Sequence, residues 1–307
     1  MLMLISKQAR MKKIVGILIA ILISQIGFSQ DYQSEFKKYY KKNDTINQLK
    51  VLTQWKHENP KDAELFTSFF NYHFGKSRKE LLALSSEAPQ GESLVLKDSL
   101  NETSGYLGSQ IHYDQSELKK GLDKIDEGIQ LYPNRLDMRF GKIYVLGLVS
   151  DWENFTSEII KTIQYSSINY NNWTWTNNEK KENGKDFLLS SLQDYQVQLY
   201  TTGEDELLVN MRNIAEETLK YYPNHVVSLS NLSITYLLTG EYDKGIEPLL
   251  RAEKLNPQDY IVLSNIAQGY KLKGDKKNAI VYYEKTIEFG DERAIEFAKQ
   301  QIAELKK

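Results

Sequence analysis

Residues 226–257 read VVSLSNLSITYLLTGEYDKGIEPLLRAEKLNP, and residues 260–291 read YIVLSNIAQGYKLKGDKKNAIVYYEKTIEFGD. Set one under the other at a shift of 34 residues, the two stretches agree at Leu229 and Leu263, Leu232 and Ile266, Tyr236 and Tyr270, and Gly240 and Gly274. Ser230-Asn231 falls over Ser264-Asn265, and Pro223 and Pro257 keep the same spacing. In each stretch apolar residues recur at helical spacing on both sides of a glycine, which predicts two helices joined by a tight turn. A pair of this kind cannot bury its apolar faces alone. A fixed period of such pairs means stacking, with one continuous core and nearest-neighbour contacts.

The places that recur are a large residue, then Leu-small, then Tyr in the first helix, a glycine turn, small and large residues in the second helix, and a closing proline. They are filled here by Leu229, Leu232-Ser233, Tyr236, Gly240, Tyr242, Gly245, Leu249, Ala252 and Pro257, and next by Leu263, Ile266-Ala267, Tyr270, Gly274, Ala279, Tyr283 and Thr286. This pattern resembles the tetratricopeptide repeat family, with 226–259 and 260–291 as the best units. The last unit departs from it with Asp291 in place of the proline. Pro248 falls inside the second helix of the better unit and should bend it. Residues 292–307 read as a capping helix, with Ala294, Ile295, Phe297, Ala298, Ile302 and Leu305 at helical spacing.

Weaker units lie upstream. Pro60 closes TINQLKVLTQWKHENP (45–60) and Pro133 closes LKKGLDKIDEGIQLYP (118–133). Phe140-Gly141 and Tyr144 fit the next first helix, and Pro223 closes a stretched unit. The expected fold is therefore all-α: a solenoid of about six helix pairs over 30–307, with a C-terminal capping helix.

Two stretches interrupt the repeats. The first, near 77–116, contains EAPQGESLVLKDSLNETSGYLGSQIHYD, has no helical period, and reads as a small β-hairpin insertion. It should split one repeat into a first helix at 63–75 and a second at 115–132. The other, near 166–186, contains INYNNWTWTNNEKKENGKDF. Asparagine favours turns, and in an extended segment Trp173 and Trp175 point the same way. The pair either clips the loop onto the solenoid or presents an aromatic surface to a glycan or small ligand.

The N-terminus reads as an address. Lys12-Lys13, the apolar run IVGILIAILI (14–23), and Gly27 and Ser29 ahead of Gln30 make residues 1–29 a secretory signal peptide. Residues 1–10 read as an upstream extension, with Met11 as the alternative start. No cysteine follows the run, so a lipid anchor is excluded, and the expected product is exported: periplasmic or secreted, without membrane insertion after cleavage. GESL…GYLGSQ and WTW also resemble a group of exported bacterial repeat proteins, a resemblance that implies fold and location but no activity.

Composition removes several functions. The formal net charge is −2, and residues 1–29 hold four basic side chains and no acid, so the remaining chain is more acidic still and has no electrostatic footprint for nucleic acid. Absence of cysteine removes disulfides, thiolate catalysis and cysteine-based metal sites. The four histidines, His57, His73, His112 and His225, lack metal spacing, and no phosphate-cradling or nucleophile motif occurs. In a calcium loop with Gly184 at its sixth place, Lys181 would stand at the third, where a cation repels the ion. The reading is a protein that is not an enzyme, with no cofactor and no metal.

In the related repeat proteins an asparagine at the place of Asn231 and Asn265 faces the concave groove and bonds a bound peptide's backbone. The resemblance extends that role to these two residues, and helical geometry adds Gln268 and Lys271 to the same face. The family's lysine-rich clamp for a terminal carboxylate is missing, since Gln196 and Tyr200 stand where it would need lysine and asparagine. The expected partner is another protein or a peptide. Asp44-Thr45-Ile46 and Asp98-Ser99-Leu100 also match a short bacterial O-glycosylation pattern.

Overall fold

A computed structural model describes residues 31–88 and 92–307. The expected signal peptide lies outside the described residues, among which no helix is long and apolar enough to cross a membrane.

Among the described residues thirteen α-helices form six successive pairs and a final single helix. The pairs are α1 (Tyr32–Tyr40) with α2 (Thr45–Glu58), α3 (Ala63–Ser77) with α4 (Gln115–Leu131), and α5 (Leu136–Leu148) with α6 (Trp152–Ile168). They continue as α7 (Gly184–Thr201) with α8 (Leu208–Tyr221), α9 (Val226–Leu238) with α10 (Tyr242–Leu255), and α11 (Tyr260–Lys273) with α12 (Lys276–Phe289). Helix α13 (Glu292–Leu305) closes the stack. This is the expected all-α solenoid, and its helix pairs are of the tetratricopeptide type.

The acidic residues start the helices. Asp31, Asp44, Asp62, Asp114, Asp151, Asp259, Asp275 and Asp291 each accept a backbone N–H of the first turn through the side chain. Each such cap is worth about 1 kcal/mol, so these eight of the chain's 41 acidic residues have a structural task. Asp44 is thereby used at the α2 cap, and Asp98 accepts from the N–H groups of Leu100 and Glu102 in a turn. Gly240 and Gly274 carry φ of +78° and +85° just after α9 and α11, the left-handed stop that glycine adopts without a Cβ penalty.

Small residues set how closely the helices cross. Ser233 and Ala267 are fully buried, as the repeat pattern requires. A Cβ at Gly245 of α10 would lie 2.6 Å from Leu237 Cδ2 of α9, so only glycine admits that approach. Large residues fill the gaps between pairs. Leu229, Leu249, Val262 and Ile266 form one core cluster, and buried Tyr283 meets Phe297 of α13 edge-on at 6.2 Å. Helix α10 runs continuously from Tyr242 to Leu255 through buried Pro248.

The insertion is larger than a hairpin. β1 (Arg78–Ser85), β2 (Ser93–Lys97) and β3 (Thr103–Tyr113) form an antiparallel sheet in the order β1-β3-β2. The β2–β3 hairpin is the one expected, and β1 is an addition. RKELLALS consists largely of good helix formers, and it becomes a strand because β3 offers it a pairing edge. The backbone N–H of Asp114 donates to Ser77 O at 2.8 Å and closes the base of the arm. Phe74 and Tyr113 stack across that base at 5.7 Å, so α3 and α4 pack as a pair although 37 residues separate them.

Candidate functional site

The first helices of the pairs line one face of the stack. Between α1, α3 and α5 this face sinks into a cavity of about 380 Å³, floored by Phe36, Phe70 and Ile125. Gln33, Lys37 and Tyr40 of α1 line it, with Thr67 and Asn71 of α3 and Gly141 of α5. Lys37, Tyr40 and Asn71 are exposed. Among the described residues their polar ends make no hydrogen bond or ion pair, in contrast to most polar side chains around them. Gly141 lets the α5 wall approach Phe70, whose Cε1 would lie 3.5 Å from a Cβ at that position.

The rim is held by a buried ionic cluster. Arg135, 1% exposed, contacts Glu64 Oε1 through Nη1 at 2.7 Å. It grips Asp137 with two bonds, Nε to Oδ1 and Nη2 to Oδ2, both 2.8 Å. Glu64 also accepts from Gln33 Nε2 at 3.1 Å and from the backbone N–H of Asn177 at 2.7 Å. The cluster thus joins α1, α3, α5 and the Asn/Trp loop. A bidentate guanidinium with both carboxylates satisfied is the arrangement that makes burial of charge tolerable.

The loop itself explains its asparagines. Asn171, Asn177, Asn178 and Asn183 all have positive φ, between 51° and 61°. Asparagine is among the few side chains that enter this region readily. These turns hold Trp173–Trp175 extended against the start of α5. The N–H of Leu136 donates to Thr174 O at 3.0 Å, and the N–H of Thr174 to Asn134 O at 2.8 Å. Trp173 is fully buried against Tyr165, with ring centroids 5.8 Å apart, and the Arg139 guanidinium lies 5.9 Å from its ring. Trp175 packs edge-on to Phe140 and Phe187 and lies under Lys181. The two rings share one core cluster. Of the two readings left open by the sequence, this geometry matches the clip: Trp173 has no face open to a ligand and Trp175 is half-buried, and packing the rings into the α5–α7 core removes from water apolar surface that display would leave wet.

The polar residues read from the C-terminal repeats are not equivalent. Asn231 is buried and donates through Nδ2 to Gln193 Oε1 at 2.7 Å, so it braces α9 against α7. Lys271 is taken up by Gln301 and Glu304 of α13. Gln268 accepts from the Tyr283 hydroxyl at 2.9 Å, and its amide nitrogen has no acceptor among the described residues. Asn265 is half-buried with no side-chain hydrogen bond among the described residues. The capping helix accounts for Lys271: it lies over the α11 face that would otherwise continue the groove. Gln196 is buried and donates to Met211 O at 3.1 Å.

Arg135, Glu64 and Asp137 were not singled out by sequence reasoning. The signal available was a charged residue directly between the closing Pro133-Asn134 and an apolar first helix. His73 and Glu117 likewise meet only in space, Nδ1 to Oε2 at 2.9 Å, with Lys76 and Lys120 beside the same carboxylate. The hydrogen bonds from Lys120 and His73 outweigh desolvation and hold Glu117 down from its ordinary 4.5 to about 2. A depressed carboxylate contributes stability above its unfolded pKa and loses it as pH falls through the folded one. Glu117→Gln should therefore lower stability by about 1 kcal/mol at pH 7, allowing for solvent screening. The difference should vanish between about 4.5 and about 2, as measured by urea denaturation of both proteins across that range. Among the described residues no group of three or more His, Asp or Glu side chains could hold a metal ion.

No protein-family model matches the chain, and no curated protein sequence matches it. Solved structures do, and those named here are tetratricopeptide repeat proteins. The chain is similar to the C-terminal part of a TPR repeat-containing protein from Cytophaga hutchinsonii, with 11% identity, 84% of this chain and 78% of that chain covered, and a TM-score of 0.42. It is similar to YrrB, described as a TPR protein with an unusual peptide-binding site, at 14% identity, with 81% and 97% covered and a TM-score of 0.41. It is also similar to the Sgt2 TPR domain from Aspergillus fumigatus, at 21% identity, 38% and 82% covered, and a TM-score of 0.32. The chain's own helix pairing and 34-residue period place it in the class of tetratricopeptide-type solenoids.

Proposed function

We propose that this protein is a non-catalytic interaction scaffold that holds an extended segment of another protein along the face formed by its first helices. One observation carries the reading. In the α1–α3–α5 cavity Lys37, Tyr40 and Asn71 present polar groups that make no hydrogen bond among the described residues over an apolar floor, beside a rim fixed by the Arg135 cluster. An extended chain carries backbone donors and acceptors that such groups can satisfy, and a rigid groove loses little entropy on binding. Asn265 and Gln268 extend the same chemistry toward the C-terminal end. The partner is a protein or peptide, and the site of action is the cell envelope or beyond, following the N-terminal address.

A photo-crosslinking residue placed at Asn71, with Lys119 on α4 as the control position, tests the groove. Adducts in an envelope extract should form from position 71 and not from 119. Equal capture from both positions, or none from 71, overturns the reading. Fractionation of the native host tests the location: the exported chain should begin at Gln30, and a cytosolic chain retaining Met11–Ser29 would contradict it.

A further inference from the structure

The arm formed by β1, β2 and β3 has a leucine face. Directly opposed residues of an antiparallel pair point to the same side. Leu84 is opposite Leu107, which is opposite Leu94, so three leucines form a row across the sheet. Leu82, Leu96 and Ile111 lie on the same side, two or four residues along their strands from members of that row. Among the described residues little covers them, and Leu107 at the centre of the row is half-buried. Leu82, Leu84, Leu94 and Ile111 are 79%, 71%, 68% and 48% exposed. Scattered exposed leucines are ordinary, but a contiguous face of six aliphatic residues marks an interface.

We propose that this face pairs with the same face of a second copy, so that two arms pack sheet on sheet and the protein is a dimer. The inference is independent of the groove reading, since the arm leaves the stack at the far end of α3 from Glu64 and the loop. Area supports it: the exposed aliphatic side chains offer on the order of 500 Å² per copy, which across two copies reaches the roughly 1,000 Å² a specific interface must clear. Shape supports it too. Two antiparallel sheets bury apolar faces of this kind against each other at about 10 Å spacing, and a two-fold pairing uses the same patch on both copies. Along this face stand Arg78, Glu80 and Glu92, a net charge of only −1 per copy, so repulsion between two copies is small and screened by salt.

The same features disfavour other occupants. Residues 78–113 hold three basic and five acidic side chains, the wrong balance for docking on an anionic bilayer. A strand added to the β1 or β2 edge would satisfy backbone groups and leave the leucine face wet.

Light scattering on the purified protein tests the proposal. The expected mass is twice that of the single chain as purified, read from the same sample by mass spectrometry. Leu84→Lys and Leu94→Lys should each raise the dimer dissociation constant roughly a hundredfold or more, because each places a charge in an apolar seam. Leu81→Lys, on the opposite face, should leave the dimer intact. A monomer at all concentrations, including one that instead binds vesicles or a different protein through the arm, overturns the proposal. So does a dimer that survives both lysine variants. A second measurement avoids the lysine variants altogether. The chain has no cysteine, so Gln110→Cys on the outer face carries a single nitroxide. Two labels should lie roughly 20–30 Å apart across the paired sheets, and a dimer without that coupling also overturns the proposal.

Discussion

Trp173→Ala will lower the unfolding free energy by about 3–5 kcal/mol, the range for truncating a large aromatic in a packed core. The side chain is fully buried between the loop, α6 and the start of α7, and no neighbour can collapse into a void of that size. The indole Nε1 has no acceptor among the described residues, so part of what tryptophan contributes is offset by the cost of desolvating that polar atom. Trp173→Phe should consequently cost less than the alanine variant. Guanidinium denaturation of the three proteins gives the comparison. An alanine variant within about 0.5 kcal/mol of the parent would mean the ring is not a clip.

Arg135→Met will have an effect of similar size for an electrostatic reason. Removing the guanidinium leaves Glu64 and Asp137 facing each other at the cluster without their counter-charge, and stranding buried charge costs about 3–5 kcal/mol. Arg135→Lys should recover only part of it, since an ammonium cannot reproduce the paired bonds to Asp137. The triple variant Glu64→Gln, Arg135→Met, Asp137→Asn should be more stable than Arg135→Met alone, because nothing charged is then left without a partner. The order of denaturation midpoints checks this. A triple variant less stable than the single one would locate the loss in packing instead.

These two residues also mark where reading from sequence succeeds and stops. The helix pairs were legible because each depends on short-range pattern: Leu229, Ser233, Tyr236 and Gly240 recur as Leu263, Ala267, Tyr270 and Gly274, and local geometry follows from local spacing. The Asn/Trp loop was visible as an interruption, and the left-handed turns of Asn171, Asn177 and Asn178 account for its composition. Arg135 was silent, because its partners come from three separate elements and no spacing in the chain announces them. β1 was hidden by helix-forming residues that take strand form only beside β3. Asn231 and Lys271 kept the expected places on their helices, but Gln193, Gln301 and Glu304 reach them first.

The bond from Asn177 to Glu64 spans 113 residues of chain. In a plain stack each unit touches only its neighbours, and opening can start anywhere and spread. Here one strap runs from the fourth pair, past the third, to the second, and those units must come apart together. The two C-terminal pairs and α13 have no such tie among the described residues and should fray one after another. Amide protection would then fall into two regimes along the molecule: a central block sharing a single opening energy, and a tail in which protection declines stepwise toward the end.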